Sequence, residues 1–375
     1  MTNPIPFIDL PAQRRRLGPA LDEAVARVMD HCGFILGREV DAFESALREF
    51  TGARYALGVA SGTDALALVL MAKGVRPGDA ILVPAFTFAA TAEVVVWLGA
   101  TPIFCDVEEE TFNLSPDSLV RGIETARAMN LRPVGVIAVD LYGRPADYDR
   151  IEPIVADAGM WLLTDAAQSF GTTYKGRTVG TIGLATATSF FPSKPLGAYG
   201  DAGALFTDDE ALATTVISMR MHGMGAAAYD HVEIGMNGRL DAMQAAILVE
   251  KLKIFPDEIA ARRRVAARYN EGLSGVARTP AISEEEPSVW AQYTLRIAPD
   301  ARDGFRAALQ ERGVPTAVHY PKPLNQQPAY ARFPSAGNGV PVSERLAREV
   351  VSLPMHAYLD EATQDRVIEA VRAAL

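Results

Sequence analysis

Disulfide-forming and metal-binding patterns are scarce in this sequence. Only two cysteines occur among the 375 residues, Cys32 and Cys105, and they form no CxxC motif. The five histidines show neither HxxxH nor HExxH spacing. A chain of this length can bury a sizeable core without disulfides, so a small disulfide-stapled scaffold is excluded. We also expect no metal site.

Long apolar runs and long basic runs are also missing. No apolar stretch approaches the roughly 18 residues that a membrane span requires. Residues 1–16 include Asp9 and three prolines, where a signal peptide has a basic head and an apolar segment. The 46 acidic side chains outnumber the 36 basic ones and give a formal charge of −10. We therefore expect a cytoplasmic protein that binds neither membranes nor nucleic acid.

From residue 39 onward, short apolar runs alternate with amphipathic segments. The runs RYALGVA, AILVP, TPIFC, GVIAV and MWLLT are typical of buried strands, and the segments between them have helical spacing. This alternation predicts an α/β fold whose sheet is mostly parallel and covered by helices on both faces. Open sheets of this kind bind ligands at the carboxyl ends of their strands.

The composition changes near residue 275, ahead of the acidic, proline-bearing segment SEEEPS at 283–288. A strand-like run and two helical segments follow it. We assign residues 1–260, with the N-terminal segment, to a large domain and residues 261–375 to a small C-terminal α+β domain packed on it.

Lysine is rare, since only six of the 36 basic side chains are lysines. Lys194 lies in SFFPSKPLGAYGD, among aromatic residues and glycines and without a carboxylate within six residues on either side. Apolar surroundings lower the pKa of an amine, and a neutral amine can attack a carbonyl to form a Schiff base. Taken alone, Lys194 is more simply a loop lysine with its charge in water. Lys251 and Lys253 fit a polar helical face.

A second candidate is Asp165, which ends the apolar run MWLLTD and precedes AAQS. A carboxylate at the end of a buried strand requires a cationic or hydrogen-bonding partner. The protonated ring nitrogen of pyridoxal phosphate is one such partner. In isolation Asp165 fits a cap of the next turn better, but that interpretation weakens when Lys194 is considered with it.

An anion-binding turn and a stacking aromatic residue complete the pattern. Ser61-Gly62-Thr63-Asp64 joins a predicted strand to a predicted helix. The first turn of a helix offers free N–H groups and a positive dipole end to a phosphate. Ser, Thr and Asp are also ordinary N-caps, so this signal alone is weak. Phe88, at the end of the next predicted strand, can stack on a cofactor ring or lie in the core.

Together these blocks resemble the DegT family of nucleotide-sugar aminotransferases over nearly the whole chain. The resemblance rests on SGTDAL, PAFTFAATAE, TDAAQSFG, SFFPSKPLGAYGD, GMNGRLDAMQAA, HYPKPLNQQPAY and SLPMHAYL. It implies fold type I of the pyridoxal-phosphate enzymes, with a mostly parallel seven-stranded sheet between helices. It also implies pyridoxal 5′-phosphate (PLP), alternating with its amino form PMP, as the cofactor. The partner it implies is a second copy of the chain, in a homodimer with a shared active site.

The resemblance also assigns roles by position. Lys194 would hold PLP as a Schiff base and move protons, and Asp165 would pair with the ring nitrogen. Other residues would contact the ring, the phosphate or the sugar, and Asn237 would reach the phosphate from the second subunit. The implied cofactor-binding set is Gly62, Thr63, Asp64, Phe88, Asp165, Gln168, Ser189, Lys194 and Asn237, and the implied substrate-binding set is Arg239, His319 and Tyr320.

The reaction implied is transfer of the amino group of L-glutamate to a nucleotide-linked keto sugar. Family members that dehydrate sugars have histidine in place of Lys194, so the lysine favours transamination. The segment AVHYPKPLN most resembles members that act on UDP-2-acetamido-2-deoxy-3-oxo-D-glucuronate, a precursor of bacterial surface polysaccharide such as lipopolysaccharide O-antigen. A dTDP-3-keto or dTDP-4-keto deoxyhexose is the alternative substrate. A regulatory protein that binds a sugar nucleotide without turnover is the alternative of another class.

Two positions depart from the family pattern. Ala202 stands where many relatives have glycine, and Asp140, before Leu141-Tyr142-Gly143, replaces an expected histidine or serine. Neither position belongs to the residues implied for the core chemistry.

Overall fold

The computed structural model describes residues 4–227, 229–280 and 287–375. The helices are α1 Leu10–Leu17, α2 Pro19–His31, α3 Arg38–Thr51, α4 Gly62–Ala72, α5 Ala90–Trp97, α6 Pro116–Ala128, α7 Tyr148–Asp157, α8 Glu210–Met219, α9 Ala242–Leu273, α10 Arg302–Glu311, α11 Pro341–Glu349 and α12 Glu361–Ala374. The strands are β1 Tyr55–Val59, β2 Asp79–Pro84, β3 Thr101–Cys105, β4 Arg132–Val139, β5 Trp161–Asp165, β6 Thr173–Tyr174, β7 Arg177–Thr178, β8 Ala185–Ser189, β9 Gly203–Thr207, β10 Tyr293–Arg296 and β11 Val350–Leu353.

A seven-stranded sheet lies at the centre of the fold, in the order β1-β9-β8-β5-β4-β2-β3. Strands β8, β5, β4, β2 and β3 pair in parallel, whereas β9 lies antiparallel between β1 and β8. Every residue of β2 is buried, as expected for a strand covered on both faces. The predicted α/β class and the mostly parallel seven-stranded sheet are confirmed.

The strand order brings the carboxyl ends of several strands to one edge. Strand β5 ends at Asp165, β8 ends at Ser189, and β1 ends two residues before Ser61. In the paired strands β4 and β5, Val139 lies opposite Asp165. The chemistry-bearing segments of the sequence therefore converge because parallel neighbours end on the same side.

Local signals set the ends of the two helices that precede and follow β1. Helix α3 occupies the predicted amphipathic segment and is closed by Gly52 in the left-handed conformation (φ 79°). Helix α4 begins at Gly62, because the Ser61 side chain accepts the N–H of Asp64 at 3.0 Å and caps the first turn.

The region from Asp209 to Leu273 contains the helices α8 and α9, with an irregular segment, 220–227 and 229–241, between them. The end of that segment lies at the sheet edge, where the N–H of Ala60 donates to the carbonyl of Gly238 at 3.0 Å. The 32-residue helix α9 then runs across the predicted boundary between residues 260 and 261. The division into two domains therefore stays a prediction, and residues 283–286 of the acidic segment lie outside the described residues.

Aromatic packing supports the loop that carries Lys194. Phe170 stacks on Phe206 and on Phe255, each at a ring-centroid distance of 5.8 Å, and meets the edge of Phe190 at 5.6 Å. Phe190 is fully buried and immediately follows β8. The start of the lysine loop is thus fixed by a buried cluster that α9 completes from the other side.

Within the ranges that the structure describes, no helix combines the length and the apolar character needed to cross a membrane.

Candidate active site

Lys194 and Asp165 come together at the carboxyl edge of the sheet. Asp165 is 7 % exposed, and Lys194 is partly buried in the loop between β8 and β9. Desolvation raises the pKa of the Asp165 carboxyl, and the charge of Lys194 opposes that rise. Desolvation lowers the pKa of the Lys194 amine, and Asp165 opposes that fall. The structure therefore brings the two residues singled out by the sequence into one electrostatic unit.

Two neutral donors fix the direction of the Asp165 carboxylate. The Thr91 hydroxyl donates to one oxygen and the N–H of Ala167 donates to the other, each at 3.1 Å. Thr91 is fully buried on α5 and lies 3.1 Å from the hydroxyl of Thr87. Thr91 is a positioning residue that the sequence reasoning missed, because its contact with Asp165 joins two elements that are distant in sequence.

Gln168 connects three segments above Asp165. Its amide oxygen accepts the N–H of Tyr142 at 2.7 Å, and its amide nitrogen donates to the Tyr320 hydroxyl at 3.2 Å. Burial and the nearby Asp165 raise the pKa of Tyr320, so this hydroxyl stays protonated. The Tyr142 hydroxyl donates to the carbonyl of His319. Gln168, His319 and Tyr320 are therefore held beside the Asp165 carboxylate by one hydrogen-bonded chain.

Gly62 packs against the end of β8 so closely that a side chain would not fit there. A Cβ atom built on Gly62 would lie 2.6 Å from the Cβ of Ser189, closer than real atoms pack. Gly62 and Ser189 thus make close contact between the start of α4 and the end of β8. This contact places the first turn of α4 beside the strand end that precedes the lysine loop.

The hydrogen bond that caps α4 determines which backbone N–H groups remain free to bind a ligand. Ser61 uses the N–H of Asp64, so that donor is satisfied within the turn. The N–H groups of Gly62 and Thr63 precede it in the first turn, where a helix provides no acceptor. These two donors and the positive end of α4 suit a phosphate. The same geometry leaves Asp64 itself without a free backbone donor, and its role in binding stays a prediction.

Phe88 lies at the entrance of this cleft. Its side chain is 58 % exposed although it is large and apolar, and its ring centre lies 6.1 Å from that of Tyr320. An exposed aromatic ring in this position offers a surface on which a flat ligand can stack.

The predicted substrate residues occupy two sides of the site. His319 is partly buried, its Nδ1 lies 3.2 Å from the Ser352 hydroxyl, and desolvation together with Lys194 lowers the pKa of its imidazole. Arg239 lies opposite Val59, next to the phosphate-type turn, and its buried Nε has no hydrogen-bond partner among the described residues. Asn237 is exposed, and its contact with the phosphate of a second subunit stays a prediction.

The location of Lys251 differs from the polar helical face that the sequence predicted. Lys251 is fully buried on α9 rather than on a polar face, and its amine donates to the carbonyl of Gly197 in the lysine loop. Desolvation lowers the pKa of Lys251 to about 8. The spacing argument failed because α9 packs on several sides and buries polar positions as well.

These groups fit PLP by their chemistry. A buried carboxylate held by neutral donors is suited to a cationic ring nitrogen, an amine of lowered pKa to a carbonyl carbon, and two free N–H groups to a phosphate. Within the ranges described, no three His, Cys, Asp or Glu residues form a group that could hold a metal ion. Fold and site together define a pyridoxal-phosphate-dependent aminotransferase.

Comparison with known proteins gives the family. The DegT/DnrJ/EryC1/StrS aminotransferase family model matches residues 16–372. The chain belongs to this family, which confirms the resemblance, the enzyme class and the cofactor expected from the sequence.

Three similar proteins illustrate the relationship. The UDP-2-acetamido-2-deoxy-3-oxo-D-glucuronate aminotransferase of Pseudomonas aeruginosa is 46 % identical over 372 residues, covering 99 % of each chain. A "Pleiotropic regulatory protein" of Geobacillus stearothermophilus is 38 % identical over 371 residues, covering 98 % of this chain and 97 % of its own. The crystal structure of S. venezuelae DesV in complex with a ketimine intermediate has a TM-score of 0.93 and 37 % identity, covering 99 % of this chain and 98 % of that one.

The close contact at Gly62 makes a testable prediction. We expect Gly62→Ala to weaken PLP binding by about 10- to 100-fold, since forcing a methyl group into a packed contact costs about 1–3 kcal/mol. The dissociation constant from titration of cofactor-free protein measures this effect. Gly304→Ala is the matched control, because a Cβ atom on Gly304 in α10 meets nothing within 4 Å. Equal PLP affinity in both variants would contradict the placement of the phosphate site at this turn.

Proposed function

We propose that this enzyme transfers the amino group of L-glutamate to UDP-2-acetamido-2-deoxy-3-oxo-D-glucuronate. The observation that carries transamination is the juxtaposition of the Lys194 amine, the Asp165 carboxylate and the Gly62 turn in one cleft. The choice of this keto sugar is supported by the full-length similarity to the Pseudomonas enzyme. The product is proposed to enter surface-polysaccharide (O-antigen) synthesis, and the enzyme to work in the cytoplasm, where glutamate and nucleotide sugars are metabolised.

The roles of the chain's own residues follow from their environments. When bound, PLP supplies an electron sink next to the reacting carbon. The lowered pKa of Lys194 favours a neutral amine. Such an amine can accept a proton from the substrate carbon and give it up again later in the amino transfer. Asp165 places a negative charge at the base of the cleft, and the hydrogen bond from Thr91 fixes the orientation of its carboxylate. The lowered pKa of His319 favours its neutral form, so it adds no positive charge beside Lys194.

Arg239 is proposed to bind the sugar carboxylate or a phosphate. Its guanidinium presents several donors in a fixed plane, which matches the two oxygens of a carboxylate. Its buried Nε is unpaired among the described residues, and a buried unpaired donor favours an incoming acceptor. Tyr320 and His319 would contact the sugar from the opposite side of the cleft.

A homodimer with a shared site is part of the proposal. Large apolar side chains are exposed on segments close to the cleft, and exposed apolar surface of this extent favours association. The carbonyl of Phe34 accepts the N–H of Ala242 at 3.0 Å, so one such segment is attached to the start of α9. The exposed apolar residues are Phe34 (43 %), Ile35 (54 %), Phe191 (50 %), Tyr229 (89 %), Val232 (61 %) and Ile234 (85 %). A second chain on this surface would place Asn237 of each protomer near its partner's phosphate turn.

Two alternatives have specific support. The 36 % identity to a dTDP-3-amino-3,4,6-trideoxy-alpha-D-glucose transaminase of Streptomyces venezuelae supports a dTDP-linked deoxyhexose as the alternative substrate. The regulatory name of the Geobacillus relative supports the other alternative, a regulatory protein that binds a sugar nucleotide without turnover. A deoxyhexose has no uronate carboxylate for Arg239 to bind, and a regulatory protein has no need of a lysine of lowered pKa.

The first test separates these alternatives by absorbance. We expect L-glutamate to convert the bound PLP to PMP in single turnover, and the UDP-linked 3-keto uronate to restore the PLP spectrum. A panel of dTDP-3-keto and dTDP-4-keto deoxyhexoses should restore it at least about tenfold more slowly. No response to glutamate would favour the regulatory alternative, and fastest recovery with a dTDP sugar would overturn the proposed substrate.

The second test concerns Arg239. We expect Arg239→Ala to lower kcat/KM for the uronate by about 10- to 100-fold, the loss expected for a charged hydrogen bond, while the glutamate half-reaction changes little. Steady-state kinetics with both substrates measures this difference. Arg54→Ala is the control, because Arg54 forms an exposed ion pair with Glu210 away from the cleft. Unchanged uronate turnover in Arg239→Ala would contradict the proposal that Arg239 binds the substrate.

A further inference from the structure

A second buried carboxyl group, that of Asp140, lies directly beside Asp165. Asp140 follows the last residue of β4 and is fully buried. Its N–H donates to the carbonyl of Asp165 at 3.1 Å, so the two residues extend adjacent paired strands. Asp140 has no part in the site described above, and carboxyl groups are seldom fully buried unless they are paired.

Three donors from two segments converge on the Asp140 carboxylate. The Tyr148 hydroxyl donates at 2.5 Å and the N–H of Ala146 at 2.8 Å, both to Oδ1. The Ser169 hydroxyl donates to Oδ2 at 2.7 Å. Ser169 belongs to the turn that starts at Asp165, whereas Ala146 and Tyr148 lie beyond the loop that follows β4. Asp140 therefore ties that loop to the turn that carries Asp165.

Gln168 makes a second connection between the same two segments. It lies in the Asp165 turn and accepts the N–H of Tyr142 from the loop after β4. The side chains of Asp140 and Gln168 thus hold the turn from both sides. Loss of the Asp140 connection would release the backbone whose Ala167 N–H orients the Asp165 carboxylate.

The charge of Asp140 varies near neutral pH. Burial, with a smaller contribution from the neighbouring Asp165, raises its pKa to about 7 against the hydrogen bonds from Tyr148, Ser169 and Ala146. Asp140 is therefore mainly neutral at pH 6 and mainly ionised at pH 8. In its ionised form it adds negative charge behind Asp165, where a cationic ring nitrogen would be stabilised.

We propose that Asp140 is a positioning residue for the PLP site, which fixes the Asp165 turn and strengthens the negative potential that Asp165 presents to the ring nitrogen. This inference rests on the proposed roles of Asp165 and Lys194. It goes beyond them because it gives the site a pH dependence that comes from a group outside the cleft.

The test uses Asp140→Asn, which keeps the size of the side chain and removes its charge. We expect the variant to bind PLP about tenfold more weakly than wild type at pH 8 but within about twofold at pH 6, where Asp140 is already neutral. The ratio of variant to wild-type rates in the glutamate half-reaction should fall between pH 6 and pH 8 in the same way. Titration of cofactor-free protein measures the ratio of the PLP affinities of variant and wild type, and single-turnover absorbance measures the ratio of their rates.

Tyr148→Phe provides a second variant with an intact carboxyl group. It removes one donor to the ionised form, which raises the pKa of Asp140. We therefore expect both ratios to fall where wild-type Asp140 ionises, as for Asp140→Asn, and then to recover toward one at higher pH, where the carboxyl group of the variant ionises as well. Ratios that do not change with pH in either variant, at whatever level, would overturn the proposal and leave Asp140 with a structural role alone. PLP binding and glutamate conversion by the wild type are scored separately, and their absence would instead contradict the proposed function.

Discussion

The site depends on keeping a carboxylate and an amine close together in a poorly solvated cleft. Desolvation disfavours the charge on both Asp165 and Lys194, and each partially restores the charge of the other. An acid that retains charge can stabilise a cationic ring, and an amine that loses its proton easily can act as nucleophile and base. Neither property would survive if the two groups were fully hydrated or were locked in a direct ion pair.

The fold supplies this environment through rigid elements. Strand β5 fixes Asp165, Thr91 on α5 directs its carboxylate, and the cluster around Phe170 anchors the lysine loop. Farther along the same loop, the buried amine of Lys251 binds the carbonyl of Gly197 and lies 4.6 Å from the ring of Tyr199. The reactive lysine is thus carried on a loop whose two halves are held by different parts of the core.

Much of this arrangement could be predicted from the sequence, and the failures have physical causes. Apolar runs gave the strand order along the chain, and the rule that parallel strands end at one edge brought Asp165, Ser189 and the Gly62 turn together. Thr91 and the hydrogen bonds of Asp140 could not be predicted, because they depend on which side chains meet across elements distant in sequence. Lys251 was assigned to a polar face, since helical spacing does not show how many sides of α9 are covered by the fold.

Two lysines of lowered pKa therefore lie close to the proposed cofactor site, and the central claim is that only Lys194 forms the imine with PLP. The most direct measurement is borohydride reduction of the PLP-loaded protein, followed by digestion and mass spectrometry of the lysine peptides. The account predicts one reduced pyridoxyl group, on the peptide that contains Lys194. A pyridoxyl group on Lys251, or on no lysine, would contradict it.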